Sequence, residues 1–177
     1  MTQALARLEL LSRAGWDRHT PNMLRAIAHH PRLLEPFLGF AAALARGELP
    51  RRESELLALR AAWNCRSEFE WGHHVLYARD AGLSDDEIAA VAEGPAAPGW
   101  SGDDRALLTA ADELHAQRGL SDATWSALAG SWSAAQLVEI PFVVGQYTML
   151  SMVAGALAVP LEDGLPLLPG SGGETVS

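Results

Sequence analysis

The sequence contains a single cysteine, Cys65, among 177 residues. One cysteine cannot form an internal disulfide, which excludes a secreted scaffold held together by disulfides. Basic residues are also scarce, because 13 Lys and Arg stand against 22 Asp and Glu and give a net charge of −9. Nucleic-acid binding requires a basic surface, and an anionic membrane surface would repel this chain. We therefore expect neither a nucleic acid nor a membrane as a partner.

Segments that direct secretion or membrane insertion are not expected either. Arginines interrupt the apolar residues of the N-terminal stretch MTQALARLELLSRAGW, unlike the apolar core of a signal peptide. The longest apolar run, residues 140–161, is long enough to cross a bilayer, but Gln146, Tyr147 and Thr148 interrupt it. The other predicted helices need a partner for their apolar faces. We expect residues 140–161 to form a buried helix of a cytoplasmic protein.

Helical periodicity with recognisable helix starts dominates the rest of the chain. Proline or serine precedes or begins most of the periodic segments, at Pro21, Pro31, Pro50, Ser84, Ser101, Ser121 and Ser133. Alternation of period two is nowhere sustained, so strands are not expected. We predict an all-α helical bundle, with an N-terminal helical extension (residues 1–34), a main domain (residues 35–161) and a flexible C-terminal tail (residues 162–177).

Residues 64–74, NCRSEFEWGHH, concentrate the side chains that can carry chemistry. Glu70 and His74 are four residues apart, so they meet on one face of a helix. Ser67 and Trp71 fall in about the same sector of that helix. A partly buried Glu–His pair can act as a general acid and base. An ordinary ion pair on a solvated helix face is the alternative, and such pairs are common.

A longer pattern surrounds this stretch. Glu55 precedes EFEWGHH (residues 68–74), AGLSDDEI (81–88) and GWSGDDRALL (99–108) in that order. The pattern resembles the carboxymuconolactone decarboxylase family, which includes the alkylhydroperoxidase D-like (AhpD-like) proteins, over roughly residues 35–161. The resemblance implies an AhpD-like helical bundle, an obligate homo-oligomer (a trimer or hexamer), active sites near subunit interfaces, and no metal or organic cofactor.

The same resemblance assigns roles to individual residues. The peroxidase branch of the family carries Cys-x-x-Cys-x-x-x-His and an upstream glutamate; Glu55 and His74 match these positions, whereas Ser67 and Glu70 replace the two cysteines. Cys65 lies outside both positions, and a thiol relay needs a second thiol within reach, so dithiol peroxidase chemistry is not expected. The decarboxylase branch works on a γ-lactone carboxylate without a thiol. The resemblance thus implies His74 as the proton-transfer residue, Glu70 as its orienting group or base, and Glu55 as a second carboxylate.

Five further side chains are candidates for contact with a substrate. Ser67 and Trp71 share the helix sector of the acid–base pair, and His73 adds a second imidazole that also suits a surface or an interface. Trp100 follows a loop rich in Gly and Pro, where it suits a lid over a pocket or simple packing. Tyr147 interrupts the apolar helix, and its hydroxyl group needs a partner if it is buried; a pocket wall or a subunit contact would supply one.

The predicted function is a cofactor-free acid–base enzyme acting on a small carbonyl- or carboxylate-bearing organic substrate, by decarboxylation, lactone opening or isomerisation. Two alternatives remain open: an antioxidant, peroxiredoxin-like protein using Cys65 alone, and a non-catalytic ligand-binding oligomer. A metal site is not expected, because the chain has no His-x-x-x-His pair of the zincin type. Residues 36–47 and 140–159 are more apolar than one monomer easily hides, which favours a closed homo-oligomer.

Overall fold

The structure, a computed structural model, describes residues 21–170, and residues 1–20 and 171–177 lie outside that range. The described part of the chain contains eight helices and no strand. The helices are α1 (Asn22–Ile27), α2 (Pro31–Ala45), α3 (Arg51–Asn64), α4 (Glu68–Asp80), α5 (Asp85–Glu93), α6 (Gly102–Gln117), α7 (Asp122–Ser131) and α8 (Ala134–Leu157). The all-α prediction is confirmed for residues 21–170, whereas most of the predicted N-terminal extension lies outside them.

The helices begin at the prolines and serines that the sequence marks. Pro31 is the first residue of α2, and Pro50 immediately precedes α3. Ser84, Ser101 and Ser133 each form a capping box: the hydroxyl oxygen accepts a backbone N–H three residues on, and that residue's side chain accepts the serine N–H. These reciprocal hydrogen bonds satisfy backbone donors that the first helical turn leaves free.

Helix α3 is the centre of the bundle and packs against α4, α5, α6 and α8. Leu56, Leu57 and Leu59 on α3 are completely buried. Arg60 on α3 makes two hydrogen bonds to Asp112 on α6, of 2.6 and 2.9 Å, and donates to the carbonyl oxygen of a residue on α5. A buried guanidinium held by several acceptors fixes the register of the helices that supply them, so α3 is a rigid base for the side chains along it.

Helix α8 is apolar and long enough, by length and composition alone, to cross a membrane. Its mean hydropathy is 1.5 and 39% of its apolar window is buried in the bundle; the core helix of a soluble protein meets the same criteria. Ile140 and Val143 pack into the main core. Glu139 accepts the backbone N–H groups of Glu48 and Leu49, at 2.5 and 3.2 Å. These bonds tie α8 to the turn before α3.

The segment after α8, which includes the described part of the predicted flexible tail (residues 162–177), packs along α4. Gly72 allows this approach, because a Cβ atom there would lie 2.9 Å from the Leu161 side chain and from the Pro166 carbonyl oxygen. Glu162 accepts the backbone N–H of Asn22 at 2.7 Å. The segment therefore joins α1 to the outside of α4, while the rest of the predicted tail, residues 171–177, lies outside the described range.

Candidate active site

A cavity of about 590 Å³ opens between α1, α2, α3, α4 and α8. Apolar side chains from α1, α2 and α8 form much of its wall, including Met23, Leu24, Phe37, Leu38, Leu44, Val143 and Leu150. Polar side chains from α3, α4 and α8 form the rest: Arg51, Ser54, Glu55, Glu70, His73, His74, Tyr77, Gln146 and Tyr147. An apolar cavity with a few converging polar groups is the usual form of a small-molecule site.

His74 is held by a carboxylate from the neighbouring helix. Its Nδ1 lies 2.6 Å from Oε2 of Glu55, and both side chains are buried. Because a carboxylate can only accept, Nδ1 carries the proton of this hydrogen bond. The other ring nitrogen, Nε2, is then the one free to exchange a proton. Glu55 thus sets both the tautomer and the orientation of the imidazole.

The second carboxylate oxygen of Glu55 forms an ion pair with Arg51. Its Oε1 accepts a hydrogen bond of 2.7 Å from Nε of Arg51, one turn earlier on α3. The guanidinium carbon of Arg51 also lies 5.8 Å from the ring centroid of Tyr77. An ion pair at four-residue spacing is visible in the sequence, so Arg51 is a site residue that the sequence analysis missed and that its spacing from Glu55 could have revealed.

Glu70 approaches the free side of the His74 ring. Its Oε2 lies 3.8 Å from Nε2 of His74, one helical turn away on α4. The Glu70 side chain is only 5% exposed, and burial raises its pKa from 4.5 to about 7, although the nearby His74 partly opposes the shift. Oε1 of Glu70 is buried and has no hydrogen-bond partner. A carboxyl group whose pKa is near 7, next to an imidazole, can accept a proton and donate it again.

Two tyrosines enclose the His74 ring. The ring of Tyr147 meets it edge-on with centroids 4.2 Å apart, and the ring of Tyr77 does so at 5.4 Å. Burial raises the pKa of both phenols, and the charges of nearby glutamates add to the shift. Both tyrosines therefore remain neutral at physiological pH, where they hold the imidazole in place and exclude water from it.

The structure brings together five of the eight predicted site residues. Glu55, Glu70 and His74 form one connected row along the cavity, and His73 and Tyr147 also line it. His73 sits at the side of the tail, with Nδ1 at 2.8 Å from the Phe69 carbonyl oxygen and Nε2 at 3.1 Å from Glu162.

The other three residues predicted to contact substrate, Ser67, Trp71 and Trp100, do not line the cavity. Ser67 caps α4, and its hydroxyl oxygen accepts the Glu70 N–H at 3.3 Å. Trp71 points into the main core, where its ring lies 5.9 Å from that of Trp63. Trp100 is buried, and its indole N–H donates to the Gly94 carbonyl oxygen at 3.1 Å. In this structure the three side chains cap a helix or pack in the core, and their contact with a substrate stays a prediction.

Cys65 lies apart from the His74 site. It borders a second cavity of about 640 Å³, beside α6 and α8, and its Sγ is 3.8 Å from Nδ1 of His115. The thiol is partly exposed. Within residues 21–170, no cluster of three or more His, Cys, Asp or Glu side chains has an arrangement that would hold a metal ion.

Comparison with known proteins finds one matching family and several structures with the same fold. Residues 31–113 match the carboxymuconolactone decarboxylase family, and solved structures of AhpD-like proteins share the fold. This match supports the resemblance to the carboxymuconolactone decarboxylase family that the sequence shows. No curated protein is significantly similar to it in sequence.

Three solved structures illustrate the similarity. A protein of unknown function from Agrobacterium tumefaciens, suggested to be the antioxidant defence protein AhpD, is 22% identical with a TM-score of 0.72, over 77% of this chain and 94% of that one. A peroxidase-related protein from Ralstonia eutropha JMP134 with an alkylhydroperoxidase AhpD core is 19% identical with a TM-score of 0.73, over 90% of this chain and 84% of that one. The debrominase Bmp8, in a cysteine-to-alanine variant bound to 2,3,4-tribromopyrrole, is 17% identical with a TM-score of 0.73, over 90% of this chain and 84% of that one. At these identities the likeness establishes a shared fold.

Proposed function

We propose that the protein is a cofactor-free acid–base enzyme that moves a proton at a carbon next to a carbonyl group. The observation that carries this proposal is the buried row Glu55–His74–Glu70, with a hydrogen bond of 2.6 Å at one end and a carboxyl of raised pKa at the other, facing a cavity of about 590 Å³. Such a row supplies a base and an acid side by side at neutral pH.

The roles follow from the hydrogen bonds. Glu55 keeps the proton of His74 on Nδ1, so that the lone pair of Nε2 acts as the base. Glu70 is on the same side of the ring, and its pKa of about 7 leaves a large fraction of the carboxyl protonated at neutral pH. Nε2 of His74 removes the α-proton, and the electron pair forms a carbon–carbon double bond. The carbonyl oxygen takes the proton of Glu70, which gives an enol that can be reprotonated at another carbon. Isomerisation, lactone opening and decarboxylation all share this movement of charge into a carbonyl oxygen.

Exchange of α-hydrogens for deuterium tests the proposal without knowledge of the natural substrate. Simple ketones, lactones and carboxylates are incubated with the protein in heavy water, and loss of the α-proton signal is followed by NMR. We expect exchange above the buffer rate for at least one class, and a rate about 10²–10⁴-fold lower with His74→Ala. Absence of any enzyme-dependent exchange across all three classes, at compound concentrations that saturate the cavity, would contradict the proposal.

A peroxidase that uses Cys65 alone is the second candidate, favoured by the contact of its Sγ with His115. An imidazole next to a thiol promotes the thiolate, which is the reactive form. This chemistry would take place in the second cavity and would not involve His74. The two candidates separate cleanly: Cys65→Ser abolishes peroxide consumption in the thiol mechanism and leaves α-hydrogen exchange within a few-fold in the acid–base mechanism.

A further inference from the structure

The charges around the cavity restrict what can enter it. Its lining carries one arginine, Arg51, against two glutamates, Glu55 and Glu70. Arg51 already donates to Glu55 at 2.7 Å, so its charge is balanced before any ligand arrives. A carboxylate ligand would add another negative charge beside buried carboxyl groups, and transfer of an unpaired charge into such surroundings is costly. The cavity therefore disfavours an anionic substrate.

The rest of the wall favours an apolar substrate. The side chains that α1 and α2 contribute to the cavity are all apolar: Met23, Leu24, Phe37, Leu38, Ala41, Leu44 and Ala45. Leu150 and Val143 continue this surface on α8. Burial of apolar ligand surface contributes roughly 25 cal/mol per Å². A molecule with a sizeable hydrocarbon part gains most from this wall.

One polar group in the cavity lacks a partner. Oε1 of Glu70 is buried and makes no hydrogen bond, and a buried oxygen without a partner costs about 1–3 kcal/mol. When the carboxyl is protonated, it offers an O–H donor to a ligand that can only accept, and a neutral carbonyl oxygen is such an acceptor. A ligand carboxylate offers acceptors too, but it also brings the charge that the lining disfavours.

We propose that the substrate is a neutral, largely apolar carbonyl compound whose oxygen accepts a hydrogen bond from Glu70 while its hydrocarbon part lies against α1, α2 and α8. This inference rests on the proposed function and narrows its substrate class, since the sequence leaves both carbonyl-bearing and carboxylate-bearing substrates open.

Ionisable groups from three helices face Glu70 or share its cavity, and each of them contributes to the pH dependence of ligand binding. They are His73, His74 and Tyr77 on α4, Arg51 and Glu55 on α3, and Tyr147 on α8. Of these, His74 is the group that acts directly on the Glu70 charge, and it favours ionisation, whereas burial opposes it more strongly. Ionisation of Glu70 above a pH of about 7 removes the O–H donor and adds a charge. Binding of a neutral carbonyl compound should therefore weaken as the pH rises through this value.

A matched pair of ligands tests the inference by titration calorimetry. Methyl heptyl ketone and octanoate have the same number of non-hydrogen atoms and nearly the same hydrocarbon chain, and differ in charge. One pH unit below the pKa of Glu70, we expect the ketone to bind about tenfold more tightly than octanoate. One unit above that pKa, the ketone should bind about three- to tenfold more weakly than it does below it, as loss of one hydrogen bond implies. Glu70→Gln keeps an N–H donor, so it should retain ketone binding and lose the pH dependence. His115→Gln, in the second cavity, is the control and should bind like the natural protein.

Two binding results would overturn the inference. Octanoate that binds as tightly as the ketone, with loss of this binding in Arg51→Gln, identifies an anion site at Arg51. Failure of both ligands to bind excludes an apolar carbonyl site.

Binding and α-hydrogen exchange, measured on the same compounds, separate the inference about the substrate class from the proposed function. Preference for the ketone without exchange of its α-hydrogens leaves the class standing and contradicts the acid–base enzyme. Exchange that is confined to carboxylates contradicts the class and leaves the enzyme standing.

Discussion

Glu55 and His74 are 19 residues apart in the chain, on two different helices, and Oε2 of Glu55 meets Nδ1 of His74 at 2.6 Å in the buried interior. Packing of α4 against α3 creates this contact. Since the contact fixes which ring nitrogen carries the proton, it converts a histidine on a helix into an oriented base with Nε2 facing Glu70. The activity that we propose depends on this geometry.

Replacement of His74 by alanine should remove the proton-transfer group and keep the fold. General acid–base catalysis contributes about 10²–10⁴-fold in rate, so His74→Ala should lose about that much of the α-hydrogen exchange. His115→Ala is the matched control, because it removes an imidazole from the other cavity. Equal rates for the two variants, measured by NMR, would show that His74 is a structural residue.

Replacement of Glu55 by glutamine tests the orienting role. The variant keeps the shape of the side chain but no longer forces the proton of His74 onto Nδ1, because an amide can donate as well as accept. Loss of an orienting partner commonly costs about tenfold to a hundredfold in activity. We expect kcat to fall by this amount while KM stays nearly constant. A change in KM alone would instead place Glu55 in substrate binding.

Self-association is a prediction that follows from the exposed face of α8. Val138, Phe142, Met149 and Met152 lie along one side of this helix, at successive spacings of four, seven and three residues, and Phe142 and Met152 are 51% and 66% exposed. We propose that copies of the chain bury this stripe against each other as a closed homo-oligomer. Phe142→Glu combined with Met152→Glu should then dissociate the assembly in light scattering, whereas Leu33→Glu, at another exposed apolar position, should not. An 18.9 kDa species for the unmodified chain at micromolar concentration would exclude the assembly.

Much of the fold could be predicted from the sequence, because helix starts depend on local hydrogen bonds. Ser84, Ser101 and Ser133 cap helices as predicted, since a serine oxygen reaches a backbone N–H only three residues away. The Glu70–His74 pair could be found in the same way from its spacing. The partner of His74 on α3 could not be found from spacing, because Glu55 reaches it through tertiary packing, and only the family resemblance pointed to it.

The positions of the two predicted site tryptophans away from the cavity also have a physical reason. Trp71 follows Glu70 directly, and a step of about 100° around the helix was enough to turn its ring into the core while Glu70 faces the cavity. Trp100 is held by the carbonyl oxygen of Gly94, whose φ of +98° bends the loop in a way that periodicity does not encode. The apolar wall from α1 and α2 depends on how these helices dock, which no local pattern specifies.

Burial of Glu70 also makes a prediction about stability. Its pKa is raised from 4.5 to about 7, so the folded protein keeps the Glu70 proton over a pH range in which the unfolded chain releases it. The free energy of unfolding should therefore fall as the pH rises from about 4.5 to about 7 and be independent of this group outside that range. Since one pKa unit corresponds to about 1.4 kcal/mol, the full effect is on the order of 3 kcal/mol. Glu70→Gln does not titrate, so its free energy of unfolding should not show this loss. As the pH rises from about 4.5 to about 7, the stability of the variant relative to the natural protein should increase by about this much, as measured by urea unfolding.

The protonation state of Glu70 is the most direct test of the account, since the acid role and the neutral-substrate inference both need a proton on this carboxyl near neutral pH. Carbon-13 NMR of protein labelled at the glutamate side-chain carboxyls gives the titration curve of each one, and Glu70→Gln identifies the signal of Glu70 by its disappearance. The account predicts a midpoint at about pH 7. That midpoint should shift downward when the solvent reaches the carboxyl, as in a variant that opens the wall, such as Phe37→Ala. A midpoint close to the ordinary value of 4.5 would contradict the account, because Glu70 would then be a fully ionised carboxylate at neutral pH.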